Sequence, residues 1–494
     1  MIFNSFAFFI FFPVVLLGHF LVPFKFRWFF LLLASYYFYL SWNFDLLYLI
    51  LLTTAVSYTS ARIIERSPNK KIKKFALTVT ITACLGILFF FKYFNFLSHA
   101  VSGIVSFFGG GGSELTLNVI LPVGISFYTF QTFSYVIDVY RGDIKAERHF
   151  GYYALFVTFF PQLVAGPIER PDNLLPQLRA KHTANYADFT EGIRIAIRGF
   201  IKKIVVADLA AQFVNEVYNN PETATGPTVI IATVLFAFQI YCDFSGYTDI
   251  ATGCARIMGI KLMKNFDCPY TARSIKEFWS RWHISLSGWF RDYLYIPLGG
   301  NRCSTPRYLT NIFIVFLASG LWHGADWTFI IWGALHGFYQ IFGYLTRNVR
   351  SRGYARLKAD EKGKVVSAWK NACTFILVCF AWIFFRANNV TELGTLLNAL
   401  FFSWNGGVSQ TIAALNAIGF GAAQMAITVL SVYVISALDA SPGVISTADG
   451  VVVKEGKFSF LSTNRYVLSV WVIAVAWLIL LTRDGASAFI YFQF

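Results

Sequence analysis

Long apolar runs alternate with short polar turns along the whole chain. A helix needs about 20 apolar residues to cross the hydrocarbon core of a bilayer. The pattern predicts spans at Phe6–Val22, Arg27–Trp42, Asp45–Ala61, Phe75–Leu97, Val119–Val139 and Tyr152–Val164. It predicts further spans at Val229–Phe244, Leu309–Leu321, Trp327–Leu345, Trp369–Phe385, Ala422–Ile435 and Tyr466–Leu481. Several are too short to cross without tilt or local thinning. Pro161, Gly166 and Pro167 mark Tyr152–Val164 as a broken or re-entrant helix beside a polar cavity. Phe278–Gly300 is rich in Trp, Arg and Ser, too polar for a plain lipid-facing span.

Composition agrees with this pattern. Of 494 residues, 56% are hydrophobic and 14% charged, where a soluble domain carries about 25% charged residues. Mean hydropathy is +0.56, which excludes a disordered chain. Aromatics reach 19% and suit lipid-facing surfaces with Trp and Tyr at the interfaces. The formal charge of +15 sits in short loops between apolar runs, so it marks cytoplasmic topology and anion-binding sites rather than a nucleic-acid-binding domain. Three basic clusters are expected in the cytoplasm: Arg62 to Lys74, Arg256 to Lys276 and Arg347 to Lys364. The loops Ser106–Leu117, Asn219–Pro227 and Phe402–Phe420 lack Lys and Arg and are expected outside, with the tetraglycine Gly109–Gly112 as an outer turn. Both termini then lie outside. Residues Met1 to Val22 hold no Lys or Arg, so a cleaved signal peptide is not expected. The seven cysteines form no CxxC pair, which argues against a disulfide framework or structural zinc. There is no convincing internal repeat of the kind many transporters carry.

Ionisable residues at membrane depth are costly and mark functional sites. Of seven histidines, His149 and His182 fall in polar loops, and His19 and His99 at span ends. His323 lies in Ser319-Gly-Leu-Trp-His-Gly-Ala-Asp-Trp327, between two apolar runs and beside the helix-breaking Gly320 and Gly324. A neutral imidazole there is placed for general-base work, with a buried structural histidine as the plainer reading. Asp326 is a candidate to orient the ring. His283 lies in a run that also offers Arg281, Ser285, Ser287 and Arg291 as donors to an oxyanion or phosphate; an interfacial amphipathic helix is the alternative. His336 reads as packing. Gly166-Pro-Ile-Glu-Arg170 and Asp243-Phe-Ser-Gly-Tyr-Thr-Asp249 are polar, kinked elements that either line a cavity or cap helices. P-loop, dinucleotide, GxSxG and HExxH patterns are absent. The chain ends Phe489-Ile-Tyr-Phe-Gln-Phe494, an apolar tail expected to dock in a groove or in the membrane. Tyr491 is either a hydroxyl nucleophile or an interfacial anchor.

Five segments, Phe278–Asn301, Ser319–Trp327, Gln239–Gly253, Pro122–Tyr140 and Phe159–Arg170, together with the aromatic tail, resemble the membrane-bound O-acyltransferase family. The likeness covers nearly the whole chain. It is greatest to the bacterial branch of alginate and other polysaccharide O-acetyltransferase membrane subunits. The resemblance implies an all-α polytopic membrane protein: a funnel of roughly eleven to twelve membrane helices, some broken or re-entrant, around a central tunnel. It implies one membrane domain over residues 1–494, with the aromatic tail at 482–494. His323 matches the invariant family histidine and His283 the second motif histidine. Acetyl-CoA is the implied donor, with Arg281, Trp282, Ser287, Arg291 and Trp322 as candidates to hold it, and no metal is expected. Tyr491 matches the family's acyl relay to an extracytoplasmic SGNH-type transferase that acetylates an exported polysaccharide. The implied location is the bacterial cytoplasmic membrane. Acyl transfer of another group, such as D-alanine from a carrier protein, is an alternative within the family. A transporter or flippase without acyl chemistry, or a structural subunit of an export complex, are alternatives outside it.

Overall fold

The computed structural model describes residues 1–41, 46–109, 115–117, 121–356, 360–404, 421 and 489. All regular structure among them is helical. The chain divides into two compact units, with the chain passing between them after residues 196, 247 and 263.

The first unit comprises 1–196 and 248–263. It holds α1 (Phe6–Leu21), α2 (Phe24–Leu40), α3 (Leu47–Arg66), α4 (Lys70–Leu88) and α5 (Phe94–Phe107). There follow α6 (Ile125–Arg141), α7 (Phe150–Thr158), α8 (Phe160–Leu163), α9 (Pro171–Arg179) and most of α10 (Tyr186–Ile201). On α1, Ser5 accepts from Phe8 N as N-cap. The exposed Phe6, Ile10, Val14, Leu17 and Leu21 form one stripe at three- and four-residue spacing. Such a stripe belongs against lipid rather than water. A π-helical turn over Phe89–Tyr93 joins α4 to α5 without a break.

The break foreseen near Pro161 is present. α7 stops at Thr158, and Pro161 sits in the first turn of α8, where a missing N–H costs nothing. The carbonyl of Phe156, left without a helical partner, accepts from both Gln131 Nε2 (2.7 Å) and Gln162 Nε2 (2.8 Å). The amide of Phe160 donates to Ser35 Oγ at 3.2 Å.

The Gly166–Arg170 element is a clamp within this unit. Glu169 is fully buried; its Oε1 accepts from Met263 N (2.5 Å) and its Oε2 from Asn173 Nδ2 (2.7 Å). One turn on, Gln177 exchanges two hydrogen bonds with the Lys261 backbone. Burial pushes the Glu169 carboxyl up to about 7; its two donors pull it part of the way back and Asp172 adds to the rise. The folded state therefore holds a proton that the unfolded chain releases near 4.5, so stability falls as pH rises from about 4.5 to about 7. Glu169→Gln keeps the acceptor for Met263 N and will flatten that slope. Thermal denaturation in detergent across this range checks it; an unchanged slope would refute the assignment.

The second unit comprises 197–247 and the described residues from Lys264 onward. After a π turn at Lys202–Ala207 come α11 (Asp208–Asn219) and α12 (Gly226–Ile257). Then follow α13 (Ile275–Arg281), α14 (Ile284–Phe290), α15 (Thr305–His323), α16 (Trp327–Leu345), α17 (Arg347–Arg356), α18 (Lys364–Arg386) and α19 (Val390–Phe402). Here the sequence expectation is corrected: Asp243–Asp249 is no kinked span end but part of the continuous 32-residue α12. The charge of Asp243 is met inside the unit. Asp243 pairs with the buried Lys203 at 2.6 Å, and Lys203 also reaches Asp208 at 2.9 Å. Gly246 lets the helix approach Gly199, whose carbonyl would lie 2.8 Å from an added Cβ.

Four helical stretches among the described residues are long and apolar enough to cross a membrane: Leu47–Arg66, Lys70–Phe107, Gly226–Ile257 and Lys364–Arg386. The chain is a multi-pass membrane protein. Phe6–Leu21 and Val390–Phe402 are shorter apolar helices. The predicted runs around Leu309–Leu321 and Trp327–Leu345 form α15 and α16, which bury Asn311, His323 and His336. The predicted spans Ala422–Ile435 and Tyr466–Leu481 lie outside the described residues. The helices over Tyr186–Asn219 were not foreseen as elements.

Candidate active site

The site grows from a helix break. Between α13 and α14 the chain turns extended at Trp282 and left-handed at His283, φ +45°. A bulky residue at positive φ is strained and needs support. Asn265 supplies it. The Asn265 carbonyl accepts from Ile284 N (2.9 Å), and its Oδ1 accepts from Ser285 N (3.3 Å) and Ser285 Oγ (2.9 Å). The same oxygen lies 3.1 Å from His283 Nδ1. A backbone donor identifies that atom as oxygen, so His283 Nδ1 carries the ring proton and Nε2 the lone pair. His283 is fully buried, edge-on to Phe244 at 4.7 Å.

The second break joins α15 to α16. His323 is the last residue of α15, and Gly324 turns the chain away in extended conformation. Asp326 is the N-cap of α16, accepting from Thr328 N at 2.8 Å. Its Oδ1 oxygen starts the helix. The imidazole of His323 is buried in an aromatic box, edge-on to Trp322 (4.9 Å), Trp332 (5.1 Å) and Phe385 (5.2 Å). Trp322 also meets His283 edge-on at 6.0 Å. One indole therefore links the two histidines that the sequence singled out.

A cavity of about 740 Å³ adjoins this core, lined among others by Lys276, Ser287, Arg291, Asn301, Phe316 and Gln340. Lys276 and Arg291 bring cationic groups to it, Arg291 paired with the adjacent Asp292 at 2.7 Å. Its wall residue Phe316 stacks on His336 at 6.1 Å and meets Trp279 at 5.3 Å. Of the predicted donor-binding residues, Ser287 and Arg291 line the cavity and Trp322 lies in the histidine cluster. Arg281 and Trp282 do not line it. Arg281 pairs with Glu277 at 2.6 Å and Thr271 at 2.7 Å, while Trp282 is buried in a stack with Phe278 (5.5 Å). Sequence reasoning missed Asn265, Lys276, Trp332 and Phe385. Only Trp332 carried a local signal, one helical turn before His336.

The tail contributes one described residue. Phe489 is buried, edge-on to Tyr247 at 4.6 Å, with Lys203 Nζ 4.4 Å from its ring centre. That residue at least is docked, as an apolar terminus should be. Tyr491 lies outside the described residues.

With this geometry in place, comparison with known proteins becomes decisive. The signature of the membrane-bound O-acyltransferase family matches residues 144–388, which contain both histidines and their break segments. A protein of Azotobacter vinelandii named "Probable alginate O-acetylase AlgI" is 35% identical over 522 residues, covering all of both chains. This chain belongs to the membrane-bound O-acyltransferase family. Its branch is that of the alginate O-acetylase proteins. The Pseudomonas aeruginosa protein of the same name is 39% identical over 404 residues, 81% of this chain and 75% of that one. A Helicobacter pylori "Peptidoglycan O-acetyltransferase" is 36% identical over 81% of this chain and 80% of its own. Membership makes the chain an acyltransferase, which sets aside a transporter without acyl chemistry. The buried, aromatic-walled His323 lies within the matched residues.

Proposed function

We propose that this membrane acyltransferase takes an acetyl group from cytoplasmic acetyl-CoA and delivers it, through Tyr491, to an extracytoplasmic partner that acetylates an exported polysaccharide. The observation that carries the reading is the buried His323 box beside a cavity bearing Lys276 and Arg291. The two cations attract the phosphates of CoA. The apolar wall near Phe316 suits the uncharged arm and the acetyl group.

In the transfer, the Tyr491 hydroxyl oxygen attacks the thioester carbon while His323 takes the hydroxyl proton. A phenol has a reference pKa of about 10, so a base is needed near neutral pH. The tetrahedral intermediate collapses by breaking the C–S bond. The CoA thiolate leaves and receives the proton back from His323. The acetyl-tyrosine ester keeps a good leaving group for onward transfer to an SGNH-type enzyme outside the bacterial inner membrane. CoA itself never crosses.

Purified protein in detergent, incubated with acetyl-CoA and digested, will carry an acetyl group on the C-terminal peptide, lost in Tyr491→Phe. CoA release with no adduct on that peptide would remove Tyr491 from the route. An adduct formed from D-alanyl carrier protein but not from acetyl-CoA would replace the donor.

A further inference from the structure

Two buried donors on α16 have no hydrogen-bond partner among the described residues. They are the indole N–H of Trp332 and Nε2 of His336, both fully buried. The tautomer of His336 follows from its neighbour. Trp279 Nε1 donates to His336 Nδ1 at 3.2 Å, so Nδ1 holds the lone pair and Nε2 holds the proton. An unsatisfied buried donor is costly, and the rings that carry these two are neighbours. Trp332 and His336 lie one turn apart on α16 with ring centroids 5.0 Å apart. Trp332 is edge-on to His323 at 5.1 Å on one side. His336 is stacked at 6.1 Å on Phe316, the wall of the cavity, on the other. The pair therefore stands between the charged cavity and the base.

We infer that Trp332 Nε1–H and His336 Nε2–H are the donors that receive the thioester carbonyl oxygen of the acyl donor and hold the negative charge it gains when the hydroxyl attacks. The inference rests on the proposed CoA thioester donor. In a dry site such donors act most strongly on charge that develops during reaction. The chemical class they recognise is a carbonyl at the end of an apolar arm, not the phosphates, which the cavity cations serve. His336 is thus a binding group rather than packing, and Trp332 joins the site although neither motif histidine segment contains it.

The test uses full-length protein in detergent and two unreactive probes: acetonyl-CoA, which carries a ketone, and S-propyl-CoA, of equal length without one. Wild type will bind the ketone at least about tenfold more tightly. Trp332→Phe keeps a ring and removes the N–H; it will erase most of that preference while leaving S-propyl-CoA affinity within about twofold. His336→Phe will do the same, and His336→Gln, which restores an N–H, will recover part of it. With acetyl-CoA, Trp332→Phe will lower kcat about a hundredfold with KM nearly unchanged. A preference that survives both donor deletions overturns the inference. Equal binding of both probes by wild type overturns it too, while sparing the CoA reading. Equal loss of both probes in Trp332→Phe and His336→Phe marks a packing role and overturns it. Failure of both probes to bind wild type overturns the CoA reading and this inference with it.

Discussion

His323→Ala will lower acetyl-CoA turnover by three orders of magnitude or more, toward the upper end of the roughly 10²–10⁴ range of general-base catalysis. In the proposed transfer the whole proton path runs through this ring. It sits at the end of α15, walled by Trp322, Trp332 and Phe385. Water does not replace it easily in such a box, so little residual base catalysis is expected. His323→Gln keeps most of the volume and will lose nearly as much activity, which separates the lost base from a cavity effect. CoA release is the measurement, with a melting temperature on each variant. Turnover within tenfold of wild type in either variant would exclude His323 as the base.

How far this site is legible in the sequence depends on the range over which its reasons act. Both histidines stand out locally, because an ionisable residue beside Gly and Trp between apolar runs is anomalous within any twenty-residue window. The break near Pro161 is equally local. What a window cannot hold is a partner far along the chain. Asp243 looks like a charge that must end a span, until Lys203, forty residues earlier, neutralises it and α12 continues through it. Asn265 fixes the strained His283 from eighteen residues away, and nothing in its own neighbourhood marks it. Arg281 pairs with Glu277, one turn before it on α13, as Arg291 pairs with the adjacent Asp292. The N-cap role of Asp326 has a local reason: an Asp just before a helix caps that helix. Mean hydropathy also mixes lipid-facing with inward-facing residues, so α15 and α16 read as ordinary spans while they bury a histidine each.

The second large effect is expected at a crossing that touches no substrate. α15 and α16 meet through Gly320 and Gly333. A Cβ on Gly320 would lie 2.3 Å from the Phe329 carbonyl oxygen, and one on Gly333 would lie 2.4 Å from that of Phe316. Both obstacles are backbone, which cannot rotate aside. Small residues at such crossings let membrane helices approach closely. The crossing sets the distance from His323, at the end of α15, to Trp332 on α16. Gly333→Val must therefore part the helices by about 1 Å, a misplacement that costs on the order of 10²-fold in rate. It will lower the melting temperature as well, since the packing of the whole pair is lost. Gly343 on the same helix has nothing within 4 Å of an added Cβ. Gly343→Ala should leave turnover unchanged and raise helix stability slightly. CoA release and melting temperature for both variants decide the matter. If Gly333→Val kept full turnover, the α15–α16 approach would not be what positions the base, and the aromatic box would have to hold His323 by itself.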